Sequence, residues 1–157
     1  FDIEKLNKKL FLGFKIPKSR GSVINYKKGQ KKLTIIDESY NSNPLSLEFA
    51  LKRFDVTFRK KDKKFLLIGN MLELGRYAKN LHAKIAKYIN NSNINKTYVY
   101  GSLTKHTFNK LKPQIKGKIL RNNMDIINLI KKDLPNNSFL MVKGSNSTGL
   151  NRIIKNL

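Results

Sequence analysis

Three stretches of this sequence collect side chains that could do chemistry. Asp37-Glu38-Ser39-Tyr40-Asn41-Ser42-Asn43-Pro44 gathers carboxylates, hydroxyls and amides ahead of a proline suited to the first turn of a helix. A helix start of that kind turns free N–H groups toward an anion. A turn capped by Asn43 explains the same composition. Gly69-Asn70-Met71-Leu72-Glu73-Leu74-Gly75 isolates one carboxylate among apolar residues. Glu73 could orient a substrate amine or a metal-bound water, or cap a helix starting near Arg76. Lys143-Gly144-Ser145-Asn146-Ser147-Thr148-Gly149 has the composition of a phosphate cradle but lacks Gly-x-x-x-x-Gly-Lys-[Ser/Thr], so it is not a P-loop. Of the two histidines, His82 reads as a packed side chain on an apolar-rich helix and His106 as a surface residue. With no cysteine, no His-x-x-x-His and no dense carboxylate cluster, no self-contained metal site is expected. No Gly-x-Ser-x-Gly nucleophile elbow is present either.

The elements between these clusters decide whether they can meet. A chain of 157 residues suits one domain, and 39% hydrophobic residues suffice for a core. Ser22 to Tyr26 and Lys32 to Asp37 are β-rich runs at hairpin separation. Asn43 and Pro44 open a helix whose Leu47, Ala50, Leu51 and Phe54 share a face. Strands are predicted at Phe65 to Gly69, Thr97 to Tyr100, Lys118 to Leu120 and Ser138 to Lys143. Helices are predicted over Leu81 to Ile89, about 103 to 111, about 124 to 133, and Leu150 to Leu157. A further short helix is expected within residues 2 to 12, with Gly13 as its stop. Alternating strands and helices, several strands being continuous apolar runs, predict an α/β fold. We expect a doubly wound, mostly parallel, Rossmann-like sheet of about six strands with helices on both faces. Ligands of open α/β sheets bind beyond the carboxyl ends of the strands, where all three clusters fall.

The net charge of +23 would draw polyanions, and a basic α/β nucleic-acid-binding module is the alternative reading. Against it, the lysines are scattered through every segment and no RNP-like aromatic run, KH-type loop or basic helix with heptads occurs. No apolar run approaches the roughly 20 residues that cross a bilayer. The start, Phe1-Asp2-Ile3-Glu4, has neither an initiator Met nor a signal-peptide pattern, and the chain is expected to be a piece of a longer one.

In order, Ile36-Asp37-Glu38-Ser39-Tyr40-Asn41-Ser42-Asn43-Pro44, then Ile68-Gly69-Asn70-Met71-Leu72-Glu73-Leu74-Gly75 with His82 shortly after, then Val142-Lys143-Gly144-Ser145, resemble the C-terminal domain of the Mur ligases. The Tyr-Asn-x-Asn-Pro and Met-Leu-Glu-Leu-Gly elements resemble the branch of that family that adds D-alanyl-D-alanine. The resemblance runs from about residue 17 to 157, leaving 1–16 as the tail of a preceding central ATPase domain. It implies a bacterial, cytoplasmic, ATP-dependent ligase of peptidoglycan synthesis that joins D-alanyl-D-alanine to UDP-N-acetylmuramoyl tripeptide through an acyl phosphate, forming a C–N bond. ATP and Mg2+ would be held mainly by the central domain, so the fragment alone is expected to be inactive. Its partners would be the central and N-terminal domains and the two substrates, with neither membrane nor nucleic acid among them. As a lid, the domain would exclude water from the acyl phosphate.

Residue by residue, the resemblance gives Arg20, in Ser19-Arg20-Gly21, the place of a family Gly-Arg whose arginine approaches the ATP phosphates. It is the catalytic candidate. Asp37 and Glu38 match an acidic pair, Glu38 toward the ribose, where many relatives carry Asp. Tyr40, Asn41 and Asn43 match the stretch facing nucleotide and substrate. Glu73, Lys143 and Ser145 complete the candidate binding set, and Asn70 stands where relatives often carry Asp.

Overall fold

The computed structural model describes residues 19–157. The helix expected within residues 2 to 12 and the domain boundary at 16/17 lie outside the described residues. The first strands, β1 (Ser22–Lys28) and β2 (Lys31–Glu38), form an antiparallel hairpin with Lys28 opposite Lys31. The two-residue loop begins with Gly29 at φ 57, a left-handed position that favours glycine.

Helix α1 (Pro44–Thr57) starts where local chemistry dictates. The Asn43 side chain accepts from the Ser46 N–H, the Ser46 hydroxyl accepts from the Asn43 N–H, and Pro44 contributes its fixed φ. The chain then alternates through β3 (Lys64–Gly69), α2 (Ala78–Asn90), β4 (Lys96–Tyr100), α3 (Thr104–Lys110), β5 (Lys116–Leu120), α4 (Asn123–Asn128), β6 (Ser138–Lys143) and α5 (Leu150–Lys155). Strand order is β1-β2-β6-β3-β4-β5, and every pairing except β1 with β2 is parallel.

Both faces of the sheet are covered. On one side Leu47, Leu51 and Phe54 of α1 and Ile85 and Ile89 of α2 pack on Ile36, Leu66, Ile68, Val99 and Met141. On the other, Ile126 of α4 and Leu150 and Ile154 of α5 pack on Ile35, Leu67, Leu140 and Val142. The doubly wound, mostly parallel sheet of six strands is thus as the sequence predicts. One element departs: the helix predicted through residue 133 is α-helical only to Asn128 and then widens into a π turn, Leu129–Asp133, closed by Leu134 N–H to Leu129 O at 3.0 Å. The extra residue lets Leu129, Ile130 and Leu134 all stay buried.

Strand β6 sits between β2 and β3, but its following helix α5 lies on the face opposite α1 and α2. The loops leaving these three neighbouring strands therefore diverge. That divergence opens a crevice at their carboxyl ends.

Candidate functional site

The three sequence clusters leave those three strands. Register pairs Glu38 with Lys143 across β2 and β6, and Ile68 with Lys143 across β3 and β6. A cleft of about 270 Å³ at this end is lined by Arg20, Glu38, Tyr40, Asn41, Asn43 and Lys143, with Ser19 and Ser46. Six of the nine predicted site residues share it.

The Ser19-Arg20-Gly21 turn is laced to the end of β2: the Gly21 N–H donates to Asp37 O at 2.9 Å and the Tyr40 N–H to Ser19 O at 3.0 Å. This sets the Arg20 guanidinium over the Tyr40 ring, 4.3 Å from its centroid, a cation–π contact that orients the charge. Glu38 pairs with Arg53 of α1. Gly21, at φ 87, leaves room for that pair, since a β-carbon there would lie 2.6 Å from Arg53 Nη2. Lys143, 2% exposed, donates from Nζ to Asn41 O at 2.7 Å. Burial pushes its ammonium below the ordinary lysine value; Glu38 opposes that shift, and Arg20 and Arg53 add to it.

Asp37 is not in the cleft. It is buried, and its Oδ1 accepts from the Ser39 N–H at 3.0 Å and from the Ser39 hydroxyl, so it folds the turn that presents Tyr40 and Asn41. Ser145 is likewise structural in its contacts: its Oγ accepts from the Leu72 N–H at 3.0 Å, and its N–H donates to Asn70 O at 3.1 Å. These bonds tie the β6 loop to the β3 loop above Gly69 and Gly144. Any β-carbon on Gly144 would stand 3.2 Å from the Gly69 Cα. Glu73 is exposed at φ 62, outside the cleft, and caps neither the turn Gly75–Tyr77 nor α2. Asn70 Oδ1 accepts from the N–H groups of Leu103 and Thr104 at 3.1 and 3.3 Å, a cap for α3 that needs an acceptor but no charge.

Sequence reasoning missed Arg53 and Ser19, and also Lys105 and Arg121, which line a second cleft of about 430 Å³ beyond β4 and β5 with Asn70, Tyr100 and Thr148. Arg53 was not visible because it lies on α1 beside the apolar stripe, where an arginine reads as solvated. Lys105 and Arg121 each follow a strand end, the place where open α/β sheets bind ligands.

Arg20, Arg53 and Lys143 around Glu38 make the first cleft net cationic, suited to an anion bearing planar or phosphate oxygens. Among the described residues no group of three or more His, Cys, Asp or Glu could hold a metal ion. No helix of the described residues is long and apolar enough to cross a membrane.

Comparison with known proteins agrees with this geometry. Residues 23–146 match the family model described as Mur ligase, glutamate ligase domain. The chain is 29% identical over 153 residues to the UDP-N-acetylmuramoyl-tripeptide--D-alanyl-D-alanine ligase of Rickettsia prowazekii, covering 98% of this chain and 32% of that protein. To the enzyme of the same name from Buchnera aphidicola subsp. Acyrthosiphon pisum it is 32% identical over 126 residues, covering 78% of this chain and 26% of that one. The crystal structure of the MurF ligase from Thermotoga maritima in complex with ADP superposes with a TM-score of 0.71 at 19% identity, over 90% of this chain and 31% of that one, a likeness of fold. The chain thus spans about a third or less of the length of these relatives. Fold, ordered motifs and family match converge: the chain belongs to the Mur ligase family, as its C-terminal, glutamate ligase domain.

Proposed function

We propose that this chain is the C-terminal lid and substrate domain of an ATP-dependent ligase that joins D-alanyl-D-alanine to UDP-N-acetylmuramoyl tripeptide. The observation that carries the reading is the cleft at the β2-β6-β3 switch point, where Arg20, Glu38, Tyr40, Asn41, Asn43 and Lys143 converge from separate segments. Relatives bearing that activity in their names support it, as does the ADP bound to one structural neighbour.

In this reading residues 1–16 join the domain to a preceding ATPase domain, and domain closure brings the cleft against the ATP bound there. Arg20, pre-oriented by Tyr40, meets the phosphates. Glu38 offers an acceptor to the ribose, with Arg53 holding its carboxylate in place. Lys143 fixes the 41–43 backbone, so that Asn41 and Asn43 keep their positions at the rim. Glu73 and Ser145 contribute from the β3 and β6 loops toward the amino substrate. ATP would supply the phosphoryl group, and the closed lid would keep water from the activated carboxylate. Mg2+ fits no group of donors on the described residues and belongs, in this proposal, to the ATPase domain. The enzyme would work in the bacterial cytoplasm, where its nucleotide substrates are made.

The test is Arg20→Ala in the full-length protein, reading phosphate release with ATP and both substrates. We expect turnover to fall about 10²-fold, with a raised KM for ATP, as for loss of a charged donor aimed at developing phosphate charge. Wild-type turnover in the variant would remove Arg20 from the mechanism. No phosphate release by the wild-type protein with these substrates would sink the reading.

A further inference from the structure

We infer that Ser19 is a ligand-contacting residue of the cleft, its hydroxyl donating to an anionic phosphate oxygen held beside Arg20. The inference rests on the nucleotide-binding reading above and extends it to Ser19, the residue immediately before Arg20.

Ser19 carries two costs that nothing within the described residues repays. Its φ is 63, in the left-handed region where a β-carbon crowds the backbone and glycine sits without strain. Its side chain is buried, the residue being 2% exposed, and its Oγ finds no hydrogen-bond partner among the described residues. A buried hydroxyl without a partner has lost its water and gained nothing. Glycine would relieve both costs at once.

Several polar neighbours in the cleft are engaged with one another. Glu38 pairs with Arg53, Asn43 with Ser46, Lys143 with Asn41 O, and Asn41 Oδ1 accepts from the Ser42 N–H at 2.7 Å. The Ser19 backbone is held on both sides. Its N–H donates to Ser22 Oγ at 3.2 Å and its carbonyl accepts from the Tyr40 N–H at 3.0 Å. The other orphaned hydroxyl, Thr97 Oγ1, lies inside the sheet on β4, where no ligand can reach it. Ser19 lines the cleft, adjacent in sequence to the Arg20 guanidinium. A hydroxyl on that backbone has one free donor for an oxygen that the cations already attract. A strained, unsatisfied residue at a ligand cleft is where stored cost is recovered on binding.

The experiment titrates ADP into the full-length protein as wild type, Ser19→Gly, Ser19→Ala and Arg20→Ala, and records the melting temperature of each without ligand. We expect Ser19→Gly and Ser19→Ala to weaken ADP binding about tenfold, the loss of one hydrogen bond to a charged group. The glycine variant should melt no lower than wild type, because strain and an orphaned hydroxyl are both removed. A packing role alone would give the opposite pattern, a lowered melting temperature with unchanged affinity, and would overturn the inference. Wild-type affinity in both Ser19 variants together with weakened binding by Arg20→Ala overturns the inference and leaves the nucleotide reading standing. Absence of ADP binding by the wild-type protein overturns both. Should the glycine variant fail to fold, the alanine variant, which keeps the backbone strain and removes only the hydroxyl, decides.

Discussion

His82 shows how a residue outside the cleft governs the loop beside it. Fully buried on α2, it accepts from the Met71 N–H through Nε2 at 3.0 Å and donates from Nδ1 to Ala78 O at 2.8 Å. Both roles require the neutral ring, because a protonated Nε2 would face the N–H it now accepts. Burial holds its pKa below the ordinary histidine value, with His106 adding slightly and the Ala78 carbonyl opposing. The folded state thus binds this proton less readily than the unfolded chain. Its contribution is complete above the unfolded value of about 6.5 and is lost as pH falls toward the lower folded value. Unfolding free energy should therefore decline below about pH 6.5 in the wild type. In His82→Gln it should be lower by about 1–3 kcal/mol at pH 7.5 and lack this component of the slope. Denaturant titrations at several pH values check this, and an undiminished slope in the variant would assign the dependence elsewhere. At this scale the sequence revealed residues that loops present beyond strand ends, such as Tyr40, Asn43 and Lys143. It hid those whose role depends on what folds against them. Nothing in the spacing of Ser19 or Arg53 announces a cleft, and Asp37 gives no sign that its carboxylate is spent on Ser39.

At the scale of elements, parallel strands were legible because burial on both faces makes them continuous apolar runs. Helix α1 was legible because its cap is written in adjacent residues. Strand order was not, since no local signal says that β6 inserts between β2 and β3. Lys64 makes the limit plain. In Lys60-Lys61-Asp62-Lys63-Lys64 it reads as one more solvated charge, yet it is the first residue of β3 and fully buried. Its Nζ donates to Asp55 Oδ1 at 3.1 Å and to Phe58 O at 3.4 Å, and its N–H donates to Asn95 Oδ1 at 2.7 Å. Asp55 also accepts from the Asn93 N–H at 3.1 Å. One ion pair thus fastens the end of α1, the start of β3 and the turn between α2 and β4. Asp55→Ala should cost about 3 kcal/mol, the low end for a broken buried pair because Asp55 keeps some exposure. Adding Lys64→Met should recover much of the loss, since an apolar side chain of similar length needs no counter-charge. Equilibrium unfolding of the single and double variants tests the pair, and a double variant as unstable as the sum of its singles would refute the coupling.

For the whole molecule, the question is what a net charge of +23 does to the fold that carries it. Five of the eight described carboxylates are already paired: Glu38, Glu48, Asp55, Asp62 and Asp133 each meet a lysine or arginine. Most lysines are therefore left facing one another through solvent. Lys84, Lys87, Lys110 and Lys112 even share a groove of about 750 Å³ between α2 and α3. Helices in such a fold run back against the strands, so this groove, at the helix C-termini, lies at the end opposite the cleft. Repulsion of this kind destabilises the compact state, and salt relieves it. Going from about 0.01 M to about 0.1 M salt shortens the screening length from about 30 Å to about 10 Å, below the span of the domain. The melting temperature should rise accordingly with sodium chloride. At matched ionic strength, phosphate should raise it further through the cleft, and Arg20→Ala should abolish only that second increment. A nucleic-acid module would behave differently. Its charge would form a continuous track, duplex DNA would bind with a steep salt slope, and Arg20→Ala would barely alter it. A melting temperature indifferent to chloride would mean that the positive charge is compensated within the fold. A phosphate increment that survives in Arg20→Ala would place the anion on the lysine surface, and the cleft would lose its claim to the phosphate.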